Sequence, residues 1–136
     1  MKYIDLHVHS NFSDGTLSPS ELVFHAADLG LSAMALTDHD TVAGIPEALS
    51  AASSMEPEDQ IRVIPGAEIT AGYLGRDIHI LGLFLDYRHP GLLNTLKETI
   101  HLRELRNEKM AENLRAAGIP ITIEALYEME PNTVIT

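Results

Sequence analysis

Cysteine is absent from the 136 residues, so disulfides, thiolate catalysis and cysteine-rich zinc modules are excluded. Positive charge is scarce as well. Nine Lys and Arg stand against twenty Asp and Glu, for a formal net charge of −11 with histidine neutral. A basic face able to grip long duplex DNA cannot be built from that balance. Three Phe and four Tyr leave little aromatic surface for stacking bases, which argues against a structural nucleic-acid-binding protein. No run approaches the ~18 consecutive apolar residues of a membrane-spanning helix. The start, Met1-Lys2-Tyr3-Ile4-Asp5, enters a strand-like pattern at once, without the apolar stretch of a signal peptide. A cytoplasmic protein is the expectation. What is present is a 45 % apolar composition, enough for a core, in a length that suits one domain. The acidity fits a metal site, because bound divalent cations offset part of it.

Charge is spread unevenly. Residues 1–96 carry a balance of −9, whereas residues 97–115 hold Lys97, Arg103, Arg106, Lys109 and Arg115 against four acids. The bases therefore concentrate in one late segment, and no internal repeat or low-complexity tract interrupts the chain.

The pattern predicts alternating strands and helices. From Lys2 to Val8, Ile4, Leu6 and Val8 alternate with Asp5, His7 and His9, the period of a strand. Ser13-Asp14-Gly15 signals a turn. Ser18-Pro19-Ser20-Glu21 then supplies an N-cap, a proline at the first helical position and a capping-box glutamate. Leu22, Val23, Ala26 and Leu29 form the expected buried stripe, and Gly30 ends the helix. A short strand over Ser32–Leu36 leads into the loop Thr37-Asp38-His39-Asp40, and a second helix covers Ile45–Ser53. A third strand is expected over Arg62–Ala67, with Ile69–Tyr73 and Asp77–Leu85 as an extended pair or hairpin around Gly75. One long helix from Leu92 to Ala117, stopped by Gly118 and Pro120, precedes a short helix capped by Thr122 and running through Met129. This alternation argues for a parallel α/β fold, in which ligands gather where strands end.

The chemistry-bearing residues fall at those ends. His7 and His9, two apart on a strand, project the same way and can reach one ion. Asp14 follows in the next loop, His39 lies after the second strand between Asp38 and Asp40, Glu68 follows the third, and His79 lies in the next. Imidazole and carboxylate without sulfur suit manganese, iron or zinc. Each residue also has an ordinary reading. His39 can be a satisfied turn histidine, Glu68 can pair with Arg62 or Arg76, His79 can be a core histidine, and Asp14 a plain turn residue. Their shared topological position favours the metal reading. His25, His89 and His101 lack that position and read as structural or solvated. Arg103, Arg106 and Asn107 open the basic part of the long helix. The two arginines, spaced i and i+3, share a face and can clamp a phosphate, or else pair with Glu104 or Glu108.

Asp5-Leu6-His7-Val8-His9-Ser10, Ser13-Asp14-Gly15, Thr37-Asp38-His39-Asp40, Gly66-Ala67-Glu68 and His79-Ile80-Leu81-Gly82 together resemble, in order and spacing, the PHP (polymerase and histidinol phosphatase) family. The resemblance implies part of a distorted (β/α)7 TIM-like barrel, with up to three divalent metal ions, manganese above all, at the C-terminal ends of its strands. It implies that His7 and His9 hold one ion, that Glu68 bridges it to a second bound by His79, and that Asp14 and His39 bind a third. Asp38 and Asp40 would orient these ligands. Residues 1–91 would form the N-terminal half of the barrel, 92–130 the start of an inserted helical cap, and 131–136 the lead-in to the next barrel motif. The later histidine and the Asp-x-His that complete the family's site would lie beyond Thr136. With about four barrel strands, an exposed sheet edge is expected, suited to self-association or to complementation by another chain. The implied activity is hydrolysis of a phosphate monoester of a small nucleotide, similar to a nucleoside 3′,5′-bisphosphate, by metal-activated hydroxide. Two alternatives stand beside it: a 5′ to 3′ exonuclease on short RNA, and a non-catalytic metal-binding fragment that needs a complementing chain.

Overall fold

The computed structural model describes residues 3–129, so the expected lead-in at 131–136 lies outside the described residues. Strands β1 (Tyr3–Val8), β2 (Leu31–Leu36), β3 (Arg62–Tyr73) and β4 (Arg76–Leu83) form one sheet in that order. The pairs β1–β2 and β2–β3 are parallel, and β3–β4 is antiparallel. Helices α1 (Pro19–Asp28) and α2 (Ile45–Ser53) make the crossovers between the parallel strands, and α3 (Pro90–Ala116) and α4 (Ile123–Met129) follow β4. This mixed α/β arrangement is a partial TIM-like barrel.

Alternation in β2 separates two apolar layers. Met34 and Leu36 join Val23 and Ala26 of α1, Ile45, Ala48, Ala51 and Ala52 of α2, and Val63 of β3 in the main core. Ala33 and Ala35 face the other way, against Ile64, with Leu6 and Leu83 at their margin. Small side chains on that inner face suit a tightly curled sheet. Met34, with no exposed surface, contributes about 1.5–3 kcal/mol by burial.

The helix starts behave as the sequence predicts. Ser18 caps α1, and its backbone N–H donates to Glu21 Oε2 at 2.8 Å while Glu21 N–H donates back to Ser18 Oγ. The helix ends at Leu29, and Gly30 takes φ +74°. Leu29, expected in the buried stripe, is instead 64 % exposed at the C-cap, one residue past the helix, where its N–H still donates to the His25 carbonyl. The bounds of α2 match the expectation, and Thr122 Oγ1 accepts from Ala125 N–H at the start of α4.

Two expectations change. The separate third strand and hairpin arm are one continuous strand, β3. Its first residues pair with β2, and Gly66–Tyr73 pair with β4. Gly66 permits this handover, since a Cβ there would lie 2.8 Å from Thr37 Cγ2 and 2.9 Å from the Gly82 carbonyl. In β1, a register irregularity between Asp5 and Val8 breaks strict alternation, so Leu6 packs with the inner layer and Val8 with the main core.

The loops at the strand ends are tied by one carboxylate. Asp38, almost fully buried, accepts from Ser10 N–H at 2.6 Å, Ser10 Oγ–H at 2.7 Å and Ser13 Oγ–H at 2.7 Å. Gly15 lets the same loop fold back, because any Cβ there would collide with the His9 carbonyl. Asp38→Ala should leave three buried donors without an acceptor and destabilise the chain by about 2–4 kcal/mol, with Asp38→Asn costing less. Urea denaturation checks both. At the α1 terminus, hydrogen bonds from the Ser18 backbone and side chain hold the Glu21 carboxyl below its ordinary value of 4.5. Its contribution to stability is therefore complete above about pH 4.5 and lost as pH falls through the lower folded value. Glu21→Gln should flatten that part of the acid limb in a plot of urea midpoint against pH.

Candidate metal centre

Backbone pairing delivers the polar side chains to one end of the sheet. Val8 lies opposite Leu36, and Thr37 N–H donates to the Val8 carbonyl, so the residues after β1 and β2 leave the sheet side by side. The loop after β2 then runs along β3. Glu68 N–H donates to the Asp38 carbonyl, Asp40 N–H donates to the Glu68 carbonyl, and His39 and Glu68 form an isolated parallel bridge. Across the antiparallel pair, Thr70 faces His79 and Glu68 faces Leu81, which puts Glu68 and His79 diagonally on one face.

Around Glu68 the side chains converge. His7 Nε2 lies 2.9 Å, His9 Nε2 3.0 Å and His39 Nε2 3.5 Å from Glu68 Oε2, and His79 Nδ1 lies 3.0 Å from Oε1. Asp14 closes the other side, with Oδ1 2.9 Å from His9 Nδ1 and Oδ2 3.7 Å from His39 Nε2. Successive imidazole centroids, His7 to His9 to His39 to His79, are spaced 4.8–4.9 Å. Burial works to raise the Glu68 carboxyl. The His7 hydrogen bond, the charges of His39 and His7 and the His79 hydrogen bond prevail and hold it below its usual value. Burial likewise works to raise Asp14, but His9 and His39 keep it low. His39 is pushed below its ordinary value chiefly by burial, aided by His9 and His79 and opposed by Glu68 and Asp14.

The donor chemistry fits divalent ions. Ionised carboxylates and neutral imidazoles are the protonation states a metal requires. Three groups place one ligand atom from each residue within 4.8 Å of the others: His7, His9 and Glu68; His9, Asp14 and His39; His39, Glu68 and His79. Three imidazole nitrogens directed at one carboxylate oxygen exceed what a single acceptor needs, whereas a cation between them uses every lone pair. No ion pair joins Glu68 to Arg62 or Arg76 among the described residues, and His79 is 44 % exposed at its side chain, unlike a core histidine. The three histidines set aside remain apart from the cluster. His89 caps α3 by accepting from Gly91 N–H, and His101 is exposed beside Glu104.

Asp38 and Asp40 act on the loops and, among the described residues, make no hydrogen bond or ion pair with an imidazole ring. Asp38 holds Ser10 and Ser13. Asp40 sits at φ +51°, a left-handed conformation that Asp tolerates, and its Oδ1 accepts from Thr70 N–H at 2.8 Å. Its other oxygen pairs with Arg103, whose Nη2 also donates to Thr70 Oγ1 at 3.4 Å. Arg106 Nη1 pairs with Asp77 Oδ2 at 3.1 Å. The arginines therefore pair across to the sheet and its loops, whereas the sequence alternative placed them with Glu104 or Glu108. Both line a cavity of about 230 Å³ with His39, Thr70, Asp77 and His79. Asn107 instead lines a separate groove with Glu104, Glu108, Ile123 and Tyr127. Ser10 and Ser13, quoted only as motif residues, and Thr70 and Asp77, given no role, are what sequence reasoning missed. Their part depends on long-range pairing, and only the turn chemistry around Ser13 hinted at it.

Known proteins resemble this chain in sequence and in fold. The PHP domain family model matches residues 5–123. A 5′-3′ exoribonuclease of Haemophilus influenzae is 47% identical over 119 residues, covering 88% of this chain and 42% of that protein. A 3′,5′-nucleoside bisphosphate phosphatase of Chromobacterium violaceum is 39% identical over 119 residues, covering 88% of this chain and 40% of that protein. The crystal structure of a candidate metal-dependent phosphoesterase from Bifidobacterium adolescentis superposes with a TM-score of 0.78 at 33% identity, covering 97% of this chain and 46% of that one. The chain thus spans less than half the length of these relatives. With the family model covering most of the chain, and the cluster built from the motifs that suggested it, this chain belongs to the PHP domain family.

Proposed function

We propose that this chain carries the metal-binding part of a phosphoesterase that hydrolyses a phosphate monoester of a small nucleotide, a nucleoside 3′,5′-bisphosphate in kind. The observation that supports it most is the convergence of four imidazoles and two carboxylates next to a cavity bearing two guanidinium groups. His7, His9, Asp14, His39, Glu68 and His79 would hold the ions, with manganese the first choice because of the family resemblance and iron or zinc also suited to this nitrogen and oxygen donor set. Such ions supply charge stabilisation at a phosphoryl group and acidify water. The chain's own residues do the rest. Glu68 and Asp14 fix the imidazoles in one orientation, Asp38 and Asp40 hold the loops that carry them, and Arg103 and Arg106 put positive charge where a second phosphate would lie. We read residues 1–91 as barrel and 92–130 as cap, with the cap bringing the arginines over the strand ends.

The exoribonuclease reading is supported by the name of the Haemophilus influenzae relative. Both substrates are anionic nucleotides that need metal and guanidinium groups, and both fit a protein acting in the cytoplasm. The unpaired edge of β1, where Tyr3 and Ile4 are 61 % and 58 % exposed, supports pairing with further barrel strands or with a second chain.

Elemental analysis of the chain after loading with Mn²⁺ tests the metal reading. Glu68→Ala, which removes the shared carboxylate, should lose most of the bound metal, and His7→Ala a smaller part. Full stoichiometry in Glu68→Ala would overturn the assignment. In the loaded protein, supplied with a complementing C-terminal segment where needed, phosphate release from adenosine 3′,5′-bisphosphate should exceed mononucleotide release from a short 5′-phosphorylated RNA. It should fall about 100-fold or more in Glu68→Ala. The reverse substrate order would favour the exoribonuclease.

A further inference from the structure

The two arginines of α3 occupy different physical situations. Arg103 is 10 % exposed at its side chain, and its partner Asp40 is fully buried. Withdrawing Arg103 would leave Asp40 uncompensated in the interior, a strongly unfavourable change. Arg103 is committed to holding α3 against the loop that carries His39. Arg106 and Asp77 are 44 % and 58 % exposed, and an ion pair in that setting is weak and screened. Nothing buried depends on it. Asp77 lies two residues before His79 on β4, so both side chains share a face of the strand and both line the cavity with Arg106. A phosphate entering there meets one guanidinium already neutralised and a second that can change partner.

We propose that Asp77 is a specificity-determining residue, the exchangeable counter-charge of Arg106 that a substrate's second phosphate displaces when it docks beside His79. The inference rests on the phosphate reading above. Arg106 would exchange one carboxylate oxygen for a dianionic group that its planar fork can hold through two hydrogen bonds. Asp77 also repels any anion in the cavity that fails to capture Arg106. Together these effects admit a well-placed phosphate and turn away a carboxylate or a single misplaced charge. Arg103 remains paired with Asp40 throughout and keeps α3 in place.

The test is titration of the chain with adenosine 3′,5′-bisphosphate in the presence of a chelator, followed by NMR, with no turnover required. Asp77→Asn should tighten binding about two- to fivefold, the range expected from releasing an exposed ion pair. Asp77→Glu, which keeps the counter-charge, should behave as the parent chain. In the Arg106→Ala background, Asp77→Asn should give a clearly smaller gain, because only the repulsion is left to relieve. An unchanged or weaker affinity in Asp77→Asn overturns the exchange, as does a gain of the same size without Arg106. Failure of the parent chain and of every variant to bind the bisphosphate, both with the chelator and by calorimetry after loading with Mn²⁺, overturns the phosphate reading, and the exchange with it.

Discussion

Glu68 sits where three separately encoded pieces of chain meet, and their arrangement depends on it twice over. Its backbone pairs with the loop after β2, which carries His39 alongside β3. Its carboxylate faces His7 and His9 from β1 and its following loop, His39 from the next loop, and His79 from β4. Four imidazoles around one acid form a stable arrangement only if the acid stays ionised; His7, His39 and His79 outweigh burial and hold its carboxyl low. Backbone register therefore brings the groups near, and electrostatics orients them.

The surrounding polar residues serve that centre through the loops. Asp38 gathers the Ser10–Ser13 loop, so Asp14 can face His9 and His39. Asp40 gathers Thr70 from β3 and Arg103 from α3. One acidic pair thus ties the first loop, the sheet and the long helix to the residues flanking His39. Buried carboxylates with every oxygen engaged give a site a single geometry more than they add net stability. Arg106, paired with the exposed Asp77, lies outside this buried framework.

Much of this was legible in the sequence, for local reasons. The capping box at Ser18 and Glu21, the bounds of α2 and the existence of β1, though not its strict alternation, rest on short-range signals. The metal-ligating candidates were legible because histidines and acids recur near the expected strand ends, although Glu68 and His79 fall inside the longer β3 and β4. Long-range pairing was less accessible. Nothing in Arg62–Tyr73 shows that one strand changes partner at Gly66, because both halves carry ordinary strand residues and only the closeness of Thr37 and Gly82 demands glycine there. Leu29 satisfied helical spacing, yet the helix ended before it. The partners of Arg103 and Arg106 were invisible for the same reason: their neighbours in sequence are Glu104 and Glu108, while their neighbours in space come from β4 and the loop after β2.

The central claim is that Glu68 is the shared anchor of a metal cluster. Crystals of the chain grown with Mn²⁺, measured with anomalous scattering at the manganese edge, test it most directly. Anomalous maxima between Glu68 and the imidazoles of His7, His9, His39 and His79 are the expected result. A folded chain with those side chains arranged as described and no anomalous maximum within coordination distance of Glu68, at saturating Mn²⁺, would contradict it.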